Sequence, residues 1–226
     1  MINRKGGINV READWAQRLL ARGDVVLMVD SLTPRGLGEM CSTAGFKRSV
    51  QRDRPADAYG ALAYLRGQSY VRADRIGIMG WSQGGGVILM SLADDSKRRP
   101  PELGDANFRV AVAFYPGSCS QERLGNRFES DVPLLVLLGA KDVWSPAAPC
   151  QERLDTVRPE EVEVQIYPNA YHDFDWPDLP VHSVPKYRTS NGVIPIEGTD
   201  PLAREDAFAR VPQFLHLHLM DPPVLH

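Results

Sequence analysis

Apolar and polar positions follow two rhythms along this chain. Short apolar runs bounded by polar or glycine-rich turns read as strands: Asp24–Asp30 (DVVLMVD), Arg75–Met79, Phe108–Phe114 and Val132–Leu138 (VPLLVLL). A fifth, Val162–Tyr167 (VEVQIY), alternates apolar with polar and reads as a strand covered on one face. Helical patterns lie between them. Asn9 and Glu12 have capping-box spacing, and the helix they open runs to Arg22, with Gly23 as its stop. Its Val10, Trp15, Leu19 and Leu20 keep helical spacing and read as core. Pro55 starts a second helix through Tyr59, Leu62 and Leu65. Val87–Met90 reads as a buried helix, and Asp200 to Met220 as a closing helix kinked at Pro212. Ser31 to Gly45 is a long loop. Strands alternating with helices predict an α/β fold, a mostly parallel sheet with helices on both faces. No internal repeat divides the chain, and residues 1–226 read as one domain.

One junction in this pattern carries chemistry. The strand ending at Met79 runs into Gly80-Trp81-Ser82-Gln83-Gly84, and a buried helix follows. Strand, Gly-x-Ser-x-Gly, helix is the context of a nucleophile elbow. The serine would sit on a strained, very sharp turn, where flanking glycines avoid clashes. Its hydroxyl would point free of the sheet, and the helix N-terminus behind it would face developing negative charge. The competing reading is a glycine-rich strand-to-helix turn with an incidental serine.

A serine hydroxyl needs a base, and the base needs an orienting acid. In this topology the order is Ser, acid, His, each on a loop after a strand. Val132–Leu138 runs into Gly139-Ala140-Lys141-Asp142, and Val162–Tyr167 into Pro168-Asn169-Ala170-Tyr171-His172. Asp142 and His172 thus occupy the two expected loops. An aspartate merely holding a tight turn is the alternative for Asp142. Competitors are weaker. His216 and His218 lie in the closing helix, His226 ends the chain, and no strand precedes His182. Asp173 and Asp175 are too close in sequence to reach the far nitrogen of His172. Asp30 ends an earlier strand, where such a residue more often holds a loop.

Other chemistries find no support. Gly77, Gly80 and Gly84–Gly86 form no dinucleotide or P-loop pattern, so no cofactor is expected. His172-Asp173-x-Asp175 is too local for a metal site, and His216-x-His218 would point to different sides of a helix. A net charge of −3 leaves no electrostatic footprint for nucleic acid or an anionic membrane. No run reaches the ~18 apolar residues of a membrane span. Arg4 and Lys5 precede no apolar stretch, so no signal peptide is read and a cytoplasmic location is expected. Cys41, Cys119 and Cys150 match no metal spacing, and an odd count favours free thiols. A Cys41–Cys150 bridge is the alternative in an exported chain.

Several stretches in order, VVLMVDSLTPRG from Val25, DRIGIMGWSQGG from Asp74, VAFYPG from Val112, LLGAKDVWSPAAPC from Leu137 and VQIYPNAYHDFDW from Val164, resemble the dienelactone hydrolase family of α/β-hydrolases. The resemblance covers most of the chain from about Trp15. It implies a triad of Ser82, Asp142 and His172, with the Gln83 backbone N–H in the oxyanion hole. Three departures stand out. The namesake enzymes use cysteine where this chain has Ser82. They carry an arginine four residues after the histidine, where this chain has Trp176. The first strands of the family's fold are missing, with Gly6-Gly7 resembling the end of the loop they lead into. The expected activity is hydrolysis of a carboxylic ester or lactone, a small molecule, through an acyl-enzyme. Trp81, Trp144 and Trp176 would line an apolar pocket, and Arg35 is the cation that could admit a carboxylate. A catalytically impaired binding protein, or a peptidase of the same fold, is the alternative.

Overall fold

The computed structural model describes residues 7–42, 44–93, 99–117, 119, 128, 130–154, 162–189 and 191–220. Four strands, β1 (Gly77–Trp81), β2 (Val110–Phe114), β3 (Leu134–Gly139) and β4 (Val162–Tyr167), form a parallel sheet in the order β1-β2-β3-β4. Successive residues of β2 and β3 point to opposite faces, and each face builds its own core. Ala111, Ala113, Leu134, Val136 and Leu138 pack beneath α2 (Arg48–Arg66), α3 (Gln83–Leu92) and α4 (Ala147–Leu154). Val110, Val112, Phe114, Leu135 and Leu137 pack against α1 (Val10–Ala21) and α5 (Pro201–Leu219). The parallel sheet with helices on both faces is as the pattern predicts. A two-residue antiparallel pair, β5 (His182–Ser183) with β6 (Ile196–Glu197), lies beyond β4.

Asp24–Asp30 departs from expectation. It forms no strand, and none of its residues is buried. Among the described residues the backbones of Val25–Val29 make no hydrogen bond. The outer edge of β1 is likewise unpaired among the described residues. The two segments instead line one cavity of about 1540 Å³ that extends to Ser82 and His172. An open strand edge lies across the cavity, yet among the described residues no ladder bond joins the two, so apolar, β-branched sequence does not by itself make a strand: the backbone must pair.

The helix boundaries carry smaller corrections. Asn9 caps α1 without a side-chain hydrogen bond, and the Glu12 carboxylate accepts from Arg11 at 2.8 Å, so the expected capping box does not form. Trp15 is 1% exposed, but Val10 and Leu20 face solvent. Gly23, at φ 88°, follows the end of α1 as expected. The second helix begins at Arg48, and Pro55 lies inside it rather than at its start. Pro212 lies within α5, whose N-cap Asp200 accepts from the backbone N–H groups of Leu202 and Ala203. The expectation of free thiols fails for two cysteines. Cys119, just past β2, is bonded to Cys150 on α4, with Cα atoms 4.9 Å apart, and Cys41 is the free one. Neighbouring parallel strands deliver those two segments side by side, which sequence spacing does not reveal.

Candidate active site

Ser82 is the single residue between β1 and α3. Its φ of 51° and ψ of −116° lie where a side chain is strained. Backbone bonds hold it there: its N–H donates to Phe114 O at 3.0 Å, and its carbonyl accepts from Gly86 and Gly117 at 2.9 and 3.0 Å. The glycine requirement differs from the expected one. A Cβ on Gly80 would lie 2.9 Å from the Gly84 carbonyl carbon, and one on Gly85 2.9 Å from Phe114 O. A Cβ on Gly84 would meet nothing within 4 Å. The turn therefore needs Gly80 and Gly85, while Gly84 supplies the backbone that Gly80 must clear.

The three separated residues meet. His172 Nε2 lies 2.9 Å from Ser82 Oγ, and His172 Nδ1 lies 2.7 Å from Asp142 Oδ2. The Asp142 carboxylate selects the Nδ1–H tautomer, leaving Nε2 to accept from the serine hydroxyl. Asp142 Oδ1 accepts from the backbone N–H groups of Trp144 and Ser145 at 2.8 and 2.9 Å, so both its oxygens are engaged. His172 and Asp142 are buried. Burial alone would lower the His172 pKa, but the charge and hydrogen bond of Asp142, with the charge of Asp173, outweigh it and the pKa is raised.

The acid and base loops are stitched together. Ala140 N–H donates to Tyr167 O at 2.9 Å and Lys141 N–H to Ala170 O at 3.0 Å. The approach is so close that a Cβ on Gly139 would sit 2.5 Å from Ala170 O.

The other expected residues divide. Trp81, Trp144 and Trp176 line the cavity with Ser82 and His172. Trp144 lies 4.8 Å from the His172 ring and stacks on Tyr187. The Gln83 backbone N–H, first in α3, makes no hydrogen bond among the described residues, as an oxyanion donor would require. The Gln83 side chain is anchored on Met40 O at 2.6 Å. Arg35 is not brought in. Asp57 holds its guanidinium with two bonds of 2.8 and 2.9 Å, and it is absent from the cavity wall. Asp30 holds a loop, as expected, accepting from the N–H groups of Leu32 and Thr33.

Sequence reasoning missed a buried polar network behind the histidine. Arg11 donates to Tyr115 Oη at 2.8 Å, Asp173 Oδ1 at 2.5 Å and Glu12 Oε1 at 2.8 Å. Its guanidinium lies about midway between the Trp81 and Trp176 rings, 5.2 and 5.0 Å from their centroids. Asp175 accepts from Trp15, Trp81 and Tyr115. Tyr115 and Asp173, like Ser82, have positive φ (32° and 57°), so strained residues cluster at this site. The one available signal was the four-residue spacing of Arg11 and Trp15, which puts both on the inward face of α1. Among the described residues no group of three or more His, Cys, Asp or Glu could hold a metal ion.

A Bradyrhizobium protein named "Probable 2-oxo-3-(5-oxofuran-2-ylidene)propanoate lactonase" is 29% identical over 182 residues, 74% of this chain and 69% of that protein. The propionate-bound structure of the Thermogutta terrifontis esterase Est2 superposes with a TM-score of 0.50 at 19% identity, covering 79% of this chain and 70% of that one. The paraoxon-phosphorylated structure of the same organism's esterase 2 gives 0.50 at 18%, covering 76% and 66%. The chain spans about two thirds of the length of these relatives. The fold they share is that of the α/β-hydrolases. The sequence matches the dienelactone hydrolase family over residues 1–219, and the chain belongs to that family.

Proposed function

We propose that this chain hydrolyses carboxylic esters or lactones through an acyl-enzyme on Ser82. The observation that carries the reading is the 2.9 Å approach of Ser82 Oγ, on its strained turn, to a histidine backed by Asp142 at 2.7 Å. Ser82 Oγ attacks the carbonyl carbon as His172 Nε2 takes the hydroxyl proton. Asp142 stabilises the imidazolium. The carbonyl oxygen becomes an oxyanion near the unpaired Gln83 N–H, at the positive end of α3. Collapse expels the alcohol, protonated by His172. Water, deprotonated by the same nitrogen, then releases the acid and restores the serine. For a lactone the alcohol and acid remain one molecule. The test is Ser82→Ala, which removes turnover of a short-chain aryl ester with the circular dichroism spectrum unchanged. A fluorophosphonate probe labels Ser82 in the folded wild type. Matched turnover in the two proteins would sink the reading.

The substrate charge is the open part of this proposal. Asp173 and Glu12 neutralise Arg11, Asp57 holds Arg35, and Trp144 and Trp176 give the cavity an apolar wall. These contacts favour neutral esters or lactones, but the buried Arg54 also lines the cavity, with its Nη1 on Gln51 Oε1 at 3.1 Å, and it is the guanidinium that a substrate carboxylate would pair with. The name of the Bradyrhizobium relative, which ends in propanoate lactonase, supports a second reading, a carboxylate-bearing lactone. Comparing kcat/KM for a neutral aryl ester and for dienelactone on one preparation decides between them. A preference for dienelactone that disappears in Arg54→Ala and survives Arg35→Ala would favour the second.

A further inference from the structure

Behind the Ser82–His172 pair sits a carboxylate that the proposed chemistry does not use. Asp175 lies three residues past His172 and is 1% exposed. Its Oδ2 accepts from the indole N–H groups of Trp15 at 2.7 Å and Trp81 at 2.8 Å, and its Oδ1 accepts from the Tyr115 hydroxyl at 2.5 Å. An ionised carboxylate only accepts, and here every partner is a neutral donor. The Arg11 guanidinium bonds Tyr115 and Asp173 instead. Burial is the main influence on this carboxyl and pushes its pKa up.

The donors come from three separate parts of the fold. Trp15 is on α1, Trp81 ends β1 immediately before Ser82, and Tyr115 follows β2 with its ring 4.5 Å from that of His172. Trp81 and Ser82 are consecutive, so fixing the indole constrains the direction in which the strained serine projects. The acceptor belongs to the histidine's own loop. The nucleophile and the base are thereby tied together by a route separate from their mutual hydrogen bond. We infer that Asp175 is a positioning residue, holding Ser82 Oγ in register with His172 Nε2 through its bond to Trp81. The inference rests on the serine-hydrolase reading above.

Trp15 is the internal control. It donates to the same oxygen as Trp81 but adjoins neither the serine nor the histidine. Trp15→Phe and Trp81→Phe each delete one donor and keep an aromatic ring. With a short-chain aryl ester as probe, Tm, kcat and KM are measured for both, with Ser82→Ala as baseline. Both variants lower Tm. Trp81→Phe lowers kcat at least about tenfold with KM within about threefold, toward the ~10²-fold loss that a 1 Å misplacement brings. Trp15→Phe leaves Trp81 its own bond to Asp175 and so lowers kcat several-fold less than Trp81→Phe for a similar loss of Tm. Asp175→Asn keeps an acceptor for the indoles and retains most of the kcat that Asp175→Ala loses. Equal kcat losses in the two tryptophan variants, tracking their Tm losses, would overturn the positioning role, as would wild-type kcat in Trp81→Phe. Undiminished turnover in Ser82→Ala would overturn the serine reading instead.

Discussion

Val110–Phe114 (VAVAF) and Val25–Val29 (VVLMV) are five-residue apolar runs that sequence alone can hardly tell apart. The first is β2, paired on both sides and buried along its whole length. The second is unpaired among the described residues, with Val25 half exposed. The difference shows that strand formation here is decided by whether backbone pairing is made, not by the apolar run itself. The same divide crosses the candidate site. Ser82, Asp142 and His172 all stand just past the carboxyl ends of paired strands and are hydrogen-bonded to one another. The side facing Val25–Val29 is a cavity.

The sharpest way to break the paired side is to alter its acid. Asp142→Asn leaves the shape intact but allows the wrong imidazole tautomer, and kcat is expected to fall by about 10⁴-fold. Steady-state kinetics on an aryl ester checks this, and a loss under tenfold would remove Asp142 from its role. The turn beneath the serine comes next. Gly80→Ala drives a Cβ into the Gly84 backbone and should cost on the order of 10²-fold in kcat through misplacement. Gly84→Ala meets no atom within 4 Å and should change urea-unfolding stability by no more than about 0.5 kcal/mol.

A matched pair then tests the two runs directly. Val112→Thr puts a hydroxyl into a fully buried site and should cost about 1–3 kcal/mol in urea unfolding. Val26→Thr should stay within about 0.5 kcal/mol. Hydrogen exchange should agree, with the amides of Val110–Phe114 protected and those of Val25–Val29 exchanging early. Equal protection would erase the distinction. The smallest effect is electrostatic. Asp173 raises the His172 pKa and Arg11 lowers it. On the proposed mechanism His172 must be neutral to act, so the acid limb of kcat/KM should lie above the ordinary imidazole range. Asp173→Asn removes the raising charge and frees Arg11, so that limb should move to lower pH. An unchanged or rising limb would contradict the assignment.

Legibility in the sequence follows the same divide. Local rules suffice for β1–β4, and strand ends suffice to place Asp142 and His172, because in a parallel sheet the functional loops leave from one edge. The glycine-flanked serine is legible because its turn has few solutions. Asp24–Asp30 is misread because pairing is non-local. Arg35 is misread because its Asp57 partner sits on a helix 22 residues away. Asp175 is set aside for its closeness to His172, though its partners lie 60 to 160 residues away. Buried polar networks leave no periodic trace, since each member is a single residue on a different element.

The seam between the acid and base loops has a bearing on redesign. With Gly139 pressed against Ala170 and two backbone bonds crossing between the loops, neither has a conformation of its own. A histidine loop grafted alone would have to reproduce both of those bonds and the close approach at Gly139. Residues 139–145 and 167–172 are best regarded as one interchangeable cassette, inherited or transplanted together, whereas the walls formed by Trp144 and Trp176 can be recut by side-chain changes without disturbing that backbone.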